Sequence, residues 1–515
     1  MYFKKIKMKI RILSLTAIFS ALLLAGCNKS ILNINTNPNN PTTSTPQLLL
    51  PGVLVADAAV PYSNYTVAAG GTSGAGCGLY DVGDWMGYMA GQMGFSPIVQ
   101  LQTYQINTSF FVSVWGNYYL DIGNYCNIKQ LAKQENLPFY TAVANIMMAY
   151  DFSCLVDCYN NVPYSDAMLN NGNLTPKYDN ASDVYDSCVV LIDSAVSLLQ
   201  DPSTTENLLP ADDAADIIYG TNPTQWIKFA NSLKLRLLLN QSQVLTKSNV
   251  SSTKIAFLNK EIAELKSATF MGIGDDALVN PPYQNTSGKT NPLYGAWYTT
   301  PGISSDLYKM HSLNAYALNV YQSNNDPRLS FFYDTIPGGL FAANVFGASV
   351  NVMGSPLGTT TADINKILNP IAPAPILTAA EALFDKAEAI ARGWLSGDAQ
   401  TAYTDAITAS FQYTGMADSV NSYLAEPNVV WGAMPAIQQI ITQKWAAMNS
   451  IDILRAYDDY RRTGYPSNIP LSIASGHLSN IPYRFMYPYY EYTTNAANVN
   501  AQGNITAQSK IFWMP

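Results

Sequence analysis

Between residues 137 and 413 the apolar positions recur largely at helical spacing, interrupted by long stretches that keep no period. In LPFYTAVANIMMAYDFSCLVDCY (137–159), Val143, Ile146, Met147, Tyr150 and Leu155 recur at helical spacing, predicting a mostly buried helix. It runs into YNNVPYSDA, a proline-bearing loop. ASDVYDSCVVLIDSAVSLL then puts Val184, Cys188, Leu191, Ile192, Ala195 and Leu198 on one face, which completes a predicted helix pair. PTQWIKFANSLKLRLLLN repeats the arrangement, with Pro223 at a helix start and Trp226, Phe229, Leu233 and Leu237 facing inward. In residues 377–413, Thr378 and Glu381 have capping-box spacing, and Leu383, Phe384, Ala387 and Ile390 make a stripe. Gly393 and Gly397 bracket a turn, after which Asp398 caps a second helix carrying Ala402, Tyr403, Ala406 and Ile407. Small residues let these two helices approach closely, and the unit resembles a tetratricopeptide repeat of about 34 residues. The predicted fold is mainly α: tetratricopeptide-like helix pairs form a scaffold, with long irregular loops and a few short strands.

Two insertions, 61–115 and 270–375, are rich in Gly, Pro, Asn and aromatic residues and sustain no period. Ordered loops of this length commonly carry function. Trp85 and Tyr88 stand in the first; Tyr283, Tyr294, Trp297 and Tyr298 stand in the second, with Asp84, Gln284, Asn285 and Asn291 beside them as hydroxyl partners. Rings among Gly and Asn suit a stacking platform for sugars, although the same rings can anchor their own loops. A third aromatic run, IPYRFMYPYYEYTTNAANVN (481–500), holds Pro482 and Pro488, which disfavour helix. It is expected to clamp the C-terminal tail over the helices, with Arg484 bridging to Asp458 or Asp459.

The N-terminus changes the picture of location. KKIKMKIR (4–11) is a cationic region, Ile12–Leu24 is apolar, and Leu24-Ala25-Gly26-Cys27 sets small residues before a cysteine. Residues 1–26 are read as a lipoprotein signal peptide and Cys27 as the lipidated first residue of the mature chain. Residues 27–46 form an Asn/Pro/Ser/Thr-rich tether, and 47–515 a single α-helical domain. The apolar run of the leader is shorter than the ~20 residues a membrane span needs, so no transmembrane helix is expected in the mature protein.

Removing Lys4, Lys5, Lys7, Lys9 and Arg11 leaves 23 basic against 36 acidic side chains, a formal charge of −13. That balance argues against nucleic acid or an anionic membrane surface as partner. Only 12 % of residues are charged, while Tyr outnumbers Phe 34 to 18, so the polarity is mostly uncharged and suits neutral, hydroxyl-rich ligands. Neither HExxH nor GxSxG occurs, and GGTSGAGCG (70–78) lacks dinucleotide-binding spacing. The SxxK match at Ser251–Lys254 has no companion signature. No cofactor is implied, although Asp275, Asp276 and SNNDPR (323–328) carry oxygens that could serve a structural calcium ion. A glycosidase would need two carboxylates at a separation that no motif specifies. Cys77, Cys126, Cys154, Cys158 and Cys188 are odd in number, lack a zinc-ligand pattern and are read as core thiols.

An ordered set of segments resembles the SusD/RagB family of outer-membrane lipoproteins, in its SusD-like branch. These are the Cys27 lipobox, NPNNPT (37–42), YNNVPYSDA (159–167), WIKFANSLKLRLLL (226–239), DPRL (326–329), AEALFDKAEAIARGW with GDAQTAYTDAI, IITQKWAAMN (440–449), DDYRRTGYP (458–466) and PYRFMYPYYEYTTNAAN (482–498). The resemblance implies tetratricopeptide-like helix pairs with ligand-gathering loops. It also implies a partner, a SusC-like TonB-dependent barrel transporter over which the protein sits as a lid. The implied work is noncatalytic capture of an oligosaccharide, or in some members a peptide, and its delivery to that transporter. Location at the outer membrane, lipid-anchored and facing the cell surface, follows from the same resemblance. Asn28-Lys29-Ser30 after Cys27 departs from the acidic residues often found there, so surface display rests on the implied partner.

Overall fold

The computed structural model describes residues 44–62, 77–167, 172–360 and 366–515. The signal peptide, Cys27 and all but the last few residues of the tether lie outside them. The helical period is realised in α1 (Pro46–Ala59), α2 (Val112–Glu135), α3 (Pro138–Tyr159), α4 (Ala181–Gln200), α5 (Pro223–Asn240) and α6 (Ser252–Glu264). After the second insertion come α7 (Ala379–Ala391), α8 (Ala399–Tyr413), α9 (Ala436–Met448) and α10 (Ile453–Thr463). Chain neighbours pack side by side as α1–α2, α2–α3, α3–α4 and α7–α8, while α5 packs on both α4 and α7 and so joins the two groups of helices. Thr378 Oγ1 accepts from Glu381 N at 3.2 Å, and Asp398 accepts from Thr401 N at 2.9 Å, as the capping pattern requires. The capping box is half made: the Glu381 carboxylate turns to Arg236 at 3.1 Å, because that buried guanidinium is the stronger partner. Gly393, at φ +74°, reverses the chain between α7 and α8.

By length and composition α3 could cross a membrane, but 94 % of its most apolar window is buried inside the protein and it carries the buried Asp151 and Asp157. It is the central core helix. Strands are short and paired. β1 (Met89–Gly91) pairs antiparallel with β5 (His311–Leu313), β2 (Ala277–Val279) with β6 (Ala374–Leu377), and β3 (Tyr298–Thr300) with β4 (Ile303–Ser304). The β1–β5 pair stitches the first insertion to the second.

The 481–500 run is a clamp. Phe485 N donates to Cys158 O at 2.7 Å, Tyr487 OH donates to Asn161 O at 2.7 Å, and the Phe485 ring stacks on Phe111 at 3.9 Å. Arg484 does not reach Asp458 or Asp459; its guanidinium donates to the carbonyls of Tyr159 and Phe485. Asp458 is already held by Arg455 and Arg461, and Asp459 by Lys444 and Arg462. Cys77, Cys154, Cys158 and Cys188 are buried thiols, and no disulfide forms among the described residues.

Three carboxyls meet where α1, α2 and α3 pack: Asp57, Asp121 and Asp151, all buried, with Tyr125 donating to Asp57. Among the described residues neither carboxyl oxygen of Asp151 has a hydrogen-bond partner, and Asp57 and Asp121 lie close enough to disfavour its ionisation. Burial pushes Asp57 up to about 7 and Asp121 to about 8, and raises Asp151 well above the carboxylate range. The folded protein thus keeps protons that the unfolded chain releases near pH 4. The associated stability is complete below pH 4 and is lost as pH rises to about 8. Asp151→Asn should therefore stabilise the protein by about 1–3 kcal/mol at pH 9, with no gain near pH 4, as read from urea midpoints.

Candidate functional site

The second insertion builds a cleft from small polar residues. Asn291 caps the short helix Pro292–Trp297: its side-chain oxygen accepts from Leu293 N at 2.9 Å and Tyr294 N at 3.2 Å, and Pro292 sits where no N–H is needed. The Asn291 amide also donates to Ala372 O at 2.9 Å, which pins the helix to the far limb of the insertion. The chain then enters β3 and reverses through Pro301-Gly302 into β4; Gly302, at φ +81°, supplies the conformation that turn needs. Between this hairpin, loop 287–290 and the end of α1 lies a cleft of about 550 Å³. Ser287, Thr290, Thr299 and Thr300 offer hydroxyls to it, Tyr298 offers a ring, and the buried Tyr62 forms part of its wall. Among the described residues, none that lines this cleft is ionisable at neutral pH. Tyr62 also borders a second chamber of about 300 Å³, walled by Phe331, Ile451 and Tyr413, with Asp276, Asn291, Lys366 and Gln412 around it.

The six aromatic candidates part company here. Trp85 is 1 % exposed: Tyr104, Phe111, Tyr457 and Phe485 surround it and its indole N–H donates to Leu101 O at 3.1 Å. Tyr88 is fully buried, stacked on Trp445 at 4.7 Å and donating to Trp445 O at 2.6 Å. Trp297 is 1 % exposed, edge-on to Tyr80 at 5.6 Å and to His311 at 5.4 Å. Tyr294 is likewise buried, and one face of its ring is covered by Tyr298 at 4.6 Å. These four rings anchor the insertions and present no face on which a ligand could stack. Tyr283 and Tyr298 are half-buried, and only Tyr298 of the six lines the cleft.

Of the polar neighbours, Gln284 and Asn285 are exposed, whereas Asn291 is committed to its cap and Asp84 lies in a separate recess. Tyr62, Ser287, Thr290, Thr299 and Thr300 were not singled out in the sequence. The one signal for them was the density of Ser and Thr around Tyr298.

The oxygens suggested for calcium are engaged. Asp275 binds Lys228 and Gln225 at 3.0 Å each, Asp276 accepts from Ala379 N, and Asp326 pairs with Arg328 at 2.6 Å. Among the described residues, the one acidic triad close enough for an ion is Asp193, Glu261 and Glu264. Lys234 and Lys260 already pair with all three of its carboxylates.

Paired helices that carry two stitched insertions, with an uncharged cleft in the second, define a helical-scaffold binding fold. The SusD-like family, described as starch-binding and associating with the outer membrane, matches residues 81–488, and the chain belongs to that family. No curated protein matches the chain. Among solved structures, a SusD homologue of Bacteroides fragilis is 24 % identical, with a TM-score of 0.69 over 92 % of this chain and 99 % of its own. A chitin-binding SusD homologue of Flavobacterium johnsoniae is 21 % identical, with a TM-score of 0.72 over 90 % and 98 %. A SusD-like protein of Bacteroides thetaiotaomicron is 20 % identical, with a TM-score of 0.70 over 90 % and 98 %.

Proposed function

We propose that this protein captures a neutral oligosaccharide in the cleft beside Tyr298, without catalysis, and delivers it to a SusC-like TonB-dependent transporter at the outer membrane. The observation that carries the reading is the cleft's lining: hydroxyls and a tyrosine face, with no group among the described residues that is charged at neutral pH and would demand a charged ligand. A pyranose presents apolar faces and a rim of hydroxyls, which such a lining can match by stacking and by exchange of hydrogen bonds. Glycoside hydrolysis would call for two flanking carboxylates, which the described residues of this lining do not supply. The family's association with the outer membrane and the chitin-binding relative point the same way.

Calorimetric titration of the mature protein with maltooligosaccharides and chitooligosaccharides tests the capture step. Tyr298→Ala should weaken binding by about 1–2 kcal/mol. Silence towards every neutral glycan, together with tight peptide binding, would replace this reading with peptide capture. The anchor is tested separately: Cys27→Ala should move the protein from the membrane fraction to the soluble fraction of cells, and retention in the membrane would remove the lipid from the account. Recovery of a barrel transporter with the affinity-tagged protein from solubilised outer membranes would support the delivery step, and its absence from such preparations would count against it.

A further inference from the structure

A recess of about 40 Å³ lies where the loop 92–98 meets Met310 and His311. It shares no lining residue with the cleft beside Tyr298. Phe95, Pro97, Ile98 and Met310 give it apolar walls, and its buried polar lining residues are Asp84, His311 and Gln102. The β1–β5 register sets His311 opposite Gly91, at the start of that loop. A side chain at Gly91 would strike the Asn351 amide at 2.8 Å, so the glycine is what lets Asn351 close over the recess.

Two acceptors at this recess have no hydrogen-bond partner: Asp84 Oδ1, on a residue 7 % exposed, and Asn351 Oδ1. The local charge is also unbalanced. His311 faces acceptors at both ring nitrogens, Leu307 O at 3.0 Å from Nδ1 and Asp81 Oδ1 at 3.5 Å from Nε2. Burial would lower its pKa, but Asp81 and Asp84 outweigh burial and hold the imidazolium up to about 9. That one positive charge is bonded to Asp81, which leaves Asp84 without an ion-pair partner of its own. Buried acceptors facing a recess call for a donor, and a buried carboxylate calls for a cation. A divalent ion does not fit, since Asp81, Asp84 and His311 do not gather their ligand atoms closely enough to hold one. An ammonium group offers three donors and no acceptor, and its size is near that of the water such a volume can hold; a sugar ring is far larger.

We propose that this recess binds a protonated primary amine, with Asp84 as its counter-ion and Asn351 Oδ1 as a second acceptor. An amino-sugar residue and the free N-terminus of a peptide both carry that group.

Calorimetric titration of the mature protein with glucosamine oligomers and their N-acetylated twins, and with tetraglycine and N-acetyl-tetraglycine, separates these two sources. In the series that supplies the ligand, the free amine should bind at least about tenfold tighter than its acetylated twin. Asp84→Asn should abolish that preference, and Asn351→Ala should reduce it. Burial, eased by His311 and reinforced by Asp81, pushes the Asp84 carboxyl up to about 7. Of the other groups that act on it, Cys77, Tyr104 and Tyr333 are all raised and stay neutral near pH 7. Amine affinity of the unaltered protein should therefore fall about fivefold between pH 7 and pH 6 as Asp84 takes up its proton. Equal binding of free and acetylated twins in both series overturns the proposal, as does a preference that survives Asp84→Asn or shows no pH dependence. Binding of a neutral maltooligosaccharide reports on the other cleft and should not change in Asp84→Asn, so failure here leaves the capture of neutral glycans standing.

Discussion

Arg462→Ala should destabilise the protein by about 3–5 kcal/mol, the cost of breaking a buried ion pair by removing one partner. Arg462 is 1 % exposed. It forks onto Glu388 with Nη1–Oε1 at 2.6 Å and Nη2–Oε2 at 2.5 Å, and its Nε donates to Asp459 at 2.8 Å. Through these bonds α10 is tied to α7. Burial raises Glu388, but Arg462 and Arg392 more than offset that and hold it down to about 2. This contribution is therefore present above pH 4.5 and is lost as pH falls towards 2. In the variant Glu388 keeps Arg392 at 2.7 Å and Asp459 keeps Lys444 at 3.0 Å, so the loss stops short of two stranded charges. Arg462→Lys should recover only part of the loss, since an ammonium cannot make the bidentate fork. The double variant Glu388→Leu/Arg462→Met should recover more, because it removes charge and counter-charge together. Urea unfolding at pH 7 checks all three, and an Arg462→Ala midpoint equal to that of the parent would show the fork to be dispensable.

The same helix shows where sequence reasoning reaches its limit. The scaffold was legible because period and caps are local: Thr378, Asp398 and Pro223 act within one turn of where they stand, and the stripes of α3, α4, α5 and α7 face inward as their spacing requires. In ILRAYDDYRRT the charges at 455, 458, 459, 461 and 462 have the composition of a solvated face, yet all five are buried. Their partners, Glu388 and Asp157, lie about 70 and 300 residues away, and no local pattern predicts such a pairing. The bridge expected from Arg484 to Asp458 or Asp459 does not form, since Arg455 and Arg461 hold Asp458 from within α10, and Arg462 and the α9 residue Lys444 hold Asp459. Aromatic residues carry the same ambiguity. What decides whether Trp85 stacks on a ligand or on the core is Tyr457 and Phe485 arriving from the other end of the chain. That the two insertions are irregular loops outside the helical scaffold could be read from their length and composition. The lining of the cleft could not, because Ser287, Thr290, Thr299 and Thr300 form no pattern until the Pro301-Gly302 turn folds β3 onto β4.

Trp297→Ala separates the two roles open to an aromatic residue in such an insertion. A ring that stacks on ligand would cost binding and leave stability alone. This one is 1 % exposed, packed against Tyr80, Tyr308 and His311, and its backbone carbonyl accepts both from Ser305 N and from Ser305 Oγ at 2.9 Å. Removing it opens a cavity under the β3–β4 hairpin, with an expected cost of about 3–5 kcal/mol. The midpoint of urea unfolding should fall with its slope unchanged. Binding should weaken only through Tyr298, the next residue, whose ring rests on Tyr294 and Tyr308 and so depends on the hairpin's position. Trp297→Phe keeps most of the buried area and should restore both stability and binding, whereas Tyr298→Ala should lower affinity with little change in the midpoint. The opposite pattern, with Trp297→Ala losing affinity at an unchanged midpoint, would mean that the hairpin opens to let the indole meet the ligand. The binding face would then have to be redrawn around Trp297.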